Sequence, residues 1–493
     1  MTYSFPIRGA SLLALALSWS FAGAQNTGGS PYSAYGFGDL QYTTTAASTA
    51  MGGAGIAISE PFCVIADNPA SFASSRQPEL GGLVRPVFEA TVRGSWLDRR
   101  TSTGRLRRAD GEFMGFNIGV PFGKGRWGMA FGLTPFSNVG YTLVDKSSAS
   151  GVDVQYEYSG SGGLNKAYMG LGRTLYQQKA DTSGNLGTRL ALGASFEFLF
   201  GGLEQTRRTI YPVGQSYTNT SAYASLVLRA PTGTLGLQLS TQVVSRARVD
   251  AHIARRWARW QERLALWRSE HPNEAHPRTD RPRREAAAWR ATFGLSAGLP
   301  TVFSASSTDL VTLYYRNALG SELVIDTIPS TGTGNGTITL PPSIGVGVSV
   351  HDRRWLFTVE ARRRDWAGLQ VDLDGYTLPA SLRASTTFSA GARFTPRMDG
   401  GGLQRITYRA GARYVNDYLQ VHGDPVTTIA ASAGLSVPLN WAQTNSHFHL
   451  TVEAMRRGDT GNGRIQENML NLWFGVSITP WKLERWFRRF QIQ

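Results

Sequence analysis

"FMGFNIGVPFGKGRWGMAFGLT", Phe113 to Thr134, reads as two strands joined by a turn. In its first half Met114, Phe116, Ile118, Val120 and Phe122 share one side, and Phe113, Gly115, Asn117, Gly119 and Pro121 the other. After Gly123-Lys124-Gly125, Trp127, Met129, Phe131 and Leu133 alternate with Gly128, Ala130, Gly132 and Thr134. Successive side chains of a strand point to opposite faces, so each run has one apolar face and one small or polar face.

The same alternation recurs along the chain, in runs of about ten residues separated by turns. Leu192, Phe196 and Phe198 oppose Gly193, Ser195 and Glu197; Phe388 and Ala390 oppose Ser389 and Gly391; Tyr408 and Ala410 oppose Arg409 and Gly411. Phe448, Leu450 and Val452 oppose His449, Thr451 and Glu453, and Leu470, Leu472 and Phe474 oppose Asn471, Trp473 and Gly475. A soluble sandwich directs charges into bulk water and apolar groups into a dry core. Here the polar face is glycine-rich with scattered arginine and glutamate, as a barrel lumen would be, so the apolar face is expected to meet lipid. The fold expected is all-β: a transmembrane antiparallel barrel of about 14 strands, near 79–98, 109–122, 126–146, 152–177, 187–205, 218–246, 288–327, 339–351, 353–366, 384–397, 403–420, 426–438, 446–457 and 467–480. The stretch 288–327 suits one long strand or two. An even count returns both ends to the periplasm, with short turns at Gly123 to Gly125, His351 to Arg353 and Asp399 to Gly402 on that side.

Composition agrees. Glycine supplies 56 of 493 residues against an average near 7%, and aromatics 11%. No apolar run of about 18 residues follows the first 25, which argues against a helical span. The N-terminus reads as a secretory signal, residues 1–24, with Arg8, the apolar stretch Ala10 to Ala22 and the small-residue box Ala22-Gly23-Ala24. Cys63 is the single cysteine, so no internal disulfide can form. The net charge of +15 raises nucleic-acid binding. Export makes a nucleic-acid partner unexpected.

"MGGAGIAISEPFCVIADNPASFASS", Met51 to Ser75, fits neither a long helix nor a long strand, because Glu60-Pro61 and Asp67-Asn68-Pro69 interrupt it. Together with "SPYSAYGFGDL" (Ser30 to Leu40), "GSGGLNKAYMGLG" (Gly160 to Gly172) and "LPPSIGVGVSV" (Leu340 to Val350) followed by Trp355 and Trp366, it resembles the FadL family of hydrophobic-compound transporters, including the PorV-like barrels of type 9 secretion. The resemblance spans nearly the whole mature chain and rests on the order of short motifs. It implies that residues 25–78 form a lumenal plug ahead of a barrel over 79–493, with Asn68, Pro69 and Ala70 matching the family's NPA. It also implies an interruption of the third strand. Pro135, in the middle of that strand, cannot donate a ladder hydrogen bond. The ladder between the second and third strands should therefore break near Thr134 to Ser137, where the alternatives are a lateral gap for ligand, with Pro135 and Phe136 gating it, or a bulge above the membrane band.

Two features depart from the family pattern. The insert Arg246 to Arg290 holds twelve arginines, and Val249, Ile253, Trp257, Trp260, Leu264 and Trp267 fall at helical spacing. A basic amphipathic helix over 247–287, periplasmic by parity, suits an interfacial element or a partner arm carrying Trp257, Trp260, Trp267, Arg255 and Arg259, and equally a cap on the barrel mouth. The chain also continues past its last strand through Trp481, Trp486, Phe487, Arg488 and Arg489.

No protease helix motif, nucleophile elbow or phosphate loop is present, so no enzyme and no cofactor is expected. His447 and His449 share a face with Glu453, which could hold a metal or line a wet lumen; no metal is expected. Lumen charges Glu197, Glu360, Arg362, Arg393, Arg409, Arg413 and Glu453 should pair with one another and the plug. Two functions follow for a Gram-negative outer-membrane barrel in contact with lipid. One is passage of a hydrophobic small molecule, fatty-acid-like or aromatic, with lateral release into the membrane. The other is an accessory or docking role in a secretion or surface-assembly complex with a periplasmic or secretion-complex protein partner.

Overall fold

The structure is a computed structural model and describes residues 29–73, 83, 85–101, 104–123, 126–149, 152–178, 187–212, 217–243, 246–271, 289–317, 319–329, 334–374, 382–396, 402–421, 423–439, 446–461 and 464–479. The expected signal peptide (1–24), the ends of the expected plug (25–28 and 74–78), the expected first-strand start at 79–82, the expected turn at 399–401, the second half of the insert (272–288) and the tail with Trp481, Trp486, Phe487, Arg488 and Arg489 lie outside the described residues.

A two-residue strand, β1 (Asp39–Leu40), precedes the short helix α1 (Ala46–Thr49), and eighteen further strand segments follow. These are β2 (Val87–Arg100), β3 (Arg105–Phe122), β4 (Trp127–Ala149), β5 (Val152–Gln177), β6 (Arg189–Ile210) and β7 (Asn219–Gln242), then helix α2 (Arg246–Glu270). After it come β8 (Arg290–Gly298), β9 (Thr301–Arg316), β10 (Glu322–Pro329), β11 (Gly334–Leu340), β12 (Ser343–His351), β13 (Trp355–Asp365) and β14 (Gln370–Asp372). The last are β15 (Ala384–Phe394), β16 (Thr407–Val421), β17 (Asp424–Leu439), β18 (Ser446–Arg457) and β19 (Gln466–Ile478).

Every pairing is antiparallel, and β19 closes on β2 from Gln466↔Arg100 to Ile478↔Phe88. Several crossings are made of two or three segments. Both β8 and β9 lie along β7, while β10 and β11 lie along β9 and β12 along β8. Counted as crossings, the barrel has fourteen strands. The expected strand over 288–327 is thus one crossing that stops at Arg316, and the crossing expected at 339–351 begins earlier, at Glu322. Pro300, Pro329 and the pair Pro341-Pro342 stand at the breaks, where the missing amide donors interrupt the ladder.

The burial pattern inverts that of a soluble domain. Glu89, Asn117, Gln238, Glu360, Arg409, Arg413 and His449 are buried, whereas Phe196, Leu235, Val359, Phe388, Ile429 and Leu470 are exposed. An apolar outer face with an interior of paired polar groups is stable in hydrocarbon and costly in water. No helix among the described residues is long and apolar enough to cross a membrane, which says nothing of strands.

One part of the opening stretch is corrected. Thr91 faces Gly115 and Val92 faces Phe113, so Met114 is an extra residue in β3 and the face parity switches there. Phe113 points outward and is exposed, while Met114 is fully buried against Ala46 and Trp473. Gly115 makes the bulge with φ +101°, a conformation that side chains with a Cβ rarely adopt.

Candidate functional site

From Gly29 to Ala73 the chain runs against the inward face of the barrel, and most of its residues are buried. It starts with a turn capped by Ser30, whose hydroxyl accepts from the Tyr32 amide and donates to Glu467 at 2.7 Å. Phe37 then sits 5.8 Å from both Phe303 and Trp366, and Trp366 stacks on Tyr418 at 4.6 Å. Tyr418 fixes the backbone beside it, donating to the Gly38 carbonyl at 2.7 Å. Aromatic rings supply much apolar area with few rotamers, so this nest is a firm anchor.

Pro69 and Ala70 open a short 3-10 turn, Pro69–Phe72, capped by Asn68. The Asn68 amide donates to the carbonyls of Ile56 (2.8 Å), Leu237 and Leu295 (each 3.2 Å), two of them in the wall. Here lies one reason for the glycine-rich polar face. A Cβ at Gly236 would fall 1.9 Å from Asn68 Oδ1, and one at Gly193 would fall 2.2 Å from the Pro69 carbonyl carbon. Only a wall without side chains lets the backbone approach so closely.

The predicted lumen charges are placed as follows. Arg362 bridges Asp67 (2.6 Å) and Glu360 (3.1 Å), and Glu360 accepts the Gly55 and Ile56 amides at 2.9 and 2.7 Å. Arg393 reaches Glu60 at 2.7 Å and Arg409 reaches it at 3.7 Å. Arg413 pairs with Glu453 at 2.6 Å, and Glu197 accepts from Ser195 and Thr234 with Lys166 at 3.9 Å. Sequence reasoning missed the partners on the N-terminal side: Asp39, which pairs with Arg457, and Glu60 and Asp67, which it took only as interruptions. The available signal is charge: between Gln25 and Ala73 there are three acidic residues and no lysine or arginine, and each acid meets a barrel arginine. Burial pushes the Glu60 carboxyl up, but the guanidinium groups of Arg393 and Arg409 outweigh it and hold the carboxyl below its ordinary range.

Pro135 and Phe136 lie at a seam. The β3–β4 ladder runs from Phe122↔Trp127 to Phe116↔Leu133 and ends there, whereas β4 continues against β5 through Pro135↔Asn165. Phe136 is bulged out of that second ladder. Inside the seam β1 pairs with β4 instead, as Asp39↔Asn138 and Leu40↔Ser137, and the Gln41 amide donates to the Phe136 carbonyl at 3.0 Å. Side chains bridge the rest, with Asn138 donating to Glu112 at 3.3 Å and Arg93 donating to both Glu112 and Gln41. Beside Pro135 and Phe136 is a cavity of about 240 Å³, bounded also by Asp67, Lys166, Glu197 and Arg362, so charged groups face it.

Helix α2 carries the predicted arm residues. Arg255 and Arg259 are exposed, and Trp257, Trp260 and Trp267 are half-buried, with Trp257 edge-on to Trp260 at 5.6 Å. His447, His449 and Glu453 do not converge: His447 stacks on Phe62, Glu453 pairs with Arg413, and His449 faces Cys63.

The architecture is that of a closed fourteen-strand antiparallel β-barrel. The family model described as BamG matches residues 7–256 and 291–493, and the chain belongs to the BamG family. The matched ranges leave out 257–290, most of the arginine-rich insert. Among solved structures the chain is similar to the CymD monoaromatic hydrocarbon channel (10% identity, 91% of this chain and 100% of that one, TM-score 0.48). It is also similar to the Ralstonia pickettii toluene transporter TbuX (13%, 88% and 98%, TM-score 0.45) and the P. putida toluene transporter TodX (13%, 88% and 98%, TM-score 0.44). At such identities these likenesses assign no function. No curated protein sequence matches the chain.

Proposed function

We propose that this protein is an outer-membrane barrel, exported by its N-terminal signal, whose lumen is plugged by residues 25–78 and which serves as an accessory or docking component of a secretion or surface-assembly complex. The observation that carries this reading is the neutralisation of the lumen: Asp39, Glu60 and Asp67 of the N-terminal segment are each engaged by wall arginines. A carrier of apolar cargo needs a path lined by apolar groups. The cavity next to Pro135 is bordered by Asp67, Lys166, Glu197 and Arg362 as well as by apolar groups such as Ile56, Leu199 and Trp366, so a path through it is not purely apolar. The docking element is the arginine-rich helix α2, placed in the periplasm by strand parity, with its exposed arginines and tryptophan stripe toward an acidic or amphipathic partner protein. The test is deletion of 247–287 from the tagged full chain, followed by crosslinking in cells. A heat-modifiable, folded barrel that has lost its crosslinked partners is the expected result; an unchanged partner set refutes the arm.

A second reading is favoured by the seam alone. An opening between β3 and β4 beyond Leu133 would let a hydrophobic small molecule leave the lumen sideways into lipid if β1 moved off β4. In that reading Pro135 and Phe136 gate the exit and Asn68, Pro69 and Ala70 hold the plug to the far wall.

A further inference from the structure

We propose that Cys63, Glu89 and His449 form a metal site, built for a borderline-soft divalent cation such as Zn²⁺, that fastens the N-terminal segment to the barrel wall. The three residues come from separate parts of the chain: the loop after Pro61, strand β2 and strand β18. All are buried, and one ligand atom from each lies within 4.8 Å of the other two.

The sulfur–nitrogen separation is close to that around a bound ion. With Zn–S near 2.3 Å and Zn–N near 2.0 Å, two tetrahedral ligand atoms stand about 3.5 Å apart. Cys63 Sγ and His449 Nε2 are 3.7 Å apart. Glu89 contributes a second, independent observation. Its Oε2 accepts from the Val64 amide at 3.1 Å, but its Oε1 is buried with no hydrogen-bond partner. An orphaned carboxylate oxygen in a buried site is costly and calls for a counter-ion. A cation between the sulfur and the imidazole supplies it.

The surroundings suit the same ion. Ser436 Oγ lies 2.6 Å from His449 Nδ1 and holds the ring with Nε2 turned toward Cys63; it can accept a hydrogen bond from the Nδ1–H that a metal-bound imidazole keeps. Ser477 Oγ, 3.0 Å from Nε2, marks where a fourth oxygen ligand would stand. Binding releases the thiol proton, and the resulting thiolate, with the carboxylate, balances the dication. The nearby charges Arg409 and Glu60 already face each other at 3.7 Å. A thiolate among the donors selects Zn²⁺ over Mg²⁺ or Ca²⁺. A cavity of about 270 Å³ bordered by Cys63 and His449 offers a route for the ion.

The experiment uses the full chain in detergent, refolded from denaturant with Co²⁺ or without it, so that slow entry cannot imitate absence of binding. One cobalt per folded chain, a thiolate-to-cobalt charge-transfer band, and displacement of both by Zn²⁺ are expected. Cys63→Ser should remove the band, and Ser436→Ala should weaken binding by about 10–100-fold. Folding is followed separately by heat-modifiable mobility. Should Cys63→Ser fail to fold, Glu89→Gln, which keeps the shape of the side chain, decides the matter: an undiminished affinity overturns the site. So does a folded wild type that binds no cobalt, or cobalt binding that survives in folded Cys63→Ser.

Discussion

At the scale of single residues, much of the chemistry is carried by side chains that are missing or neutralised. Gly236 and Gly193 matter because they have no Cβ, and Asn68 uses the room to bond three carbonyls. Gly236→Val should destabilise the seating of the N-terminal segment by about 1–3 kcal/mol, the usual cost of overpacking. Limited proteolysis of the folded barrel checks it, with cleavage between 29 and 73 rising in the variant while heat-modifiable mobility is kept. Glu60 gives a pH dependence. Its folded carboxyl lies below the unfolded value of 4.5, so its contribution is fully present above that pH and is lost as the pH falls through the depressed value. Protease sensitivity of the segment, measured against pH, should therefore rise in acid in the wild type. The Glu60→Gln variant should already be more sensitive at neutral pH and should respond less to acid.

At the scale of elements, β4 is the strand that changes partner. Pro135 removes a donor where the β3 ladder has just ended, and β1 takes up the inner edge of β4 as a short replacement. An unpaired backbone group in lipid costs several kcal/mol, which is why the N-terminal segment and the wall depend on each other here. If the seam serves cargo, Pro135→Val should lower uptake of a hydrophobic substrate several-fold by restoring a donor. Uptake equal to wild type leaves the seam a structural joint and the docking reading intact. Helix α2 is the opposite case, a separate element with exposed arginines, and most of it lies outside the span matched by the family model.

At the scale of the molecule, the barrel and its N-terminal segment are joined by ion pairs across the lumen. Arg457 alone engages Asp39 and Asp417, and Arg362 engages Asp67 and Glu360. Several such pairs act together, so the segment does not leave readily. In planar bilayers the intact protein should conduct little, and deletion of 25–78 should open large, steady channels. Conductance of the same size in both would refute occlusion of the lumen.

The sequence by itself determined the class of fold and nearly every crossing, because a strand between lipid and a wet lumen has to alternate at every step, and that code is local. It also named the charges Glu360, Arg362, Arg393, Arg409, Arg413 and Glu453 from their position on the polar face. It misjudged Met114, since one inserted residue at a bulge flips face parity without changing the composition around it. It ran the strand expected at 288–327 on past Arg316, where the chain turns back from β9 into β10 without a proline to mark the turn. Only the tertiary structure decided which carboxylate each arginine meets and that His449 turns toward Cys63 and away from Glu453. It also decided that β1 takes the place that β3 leaves along β4. Those pairings join residues up to hundreds of positions apart, and their partners are fixed by barrel closure and register, which no local pattern encodes.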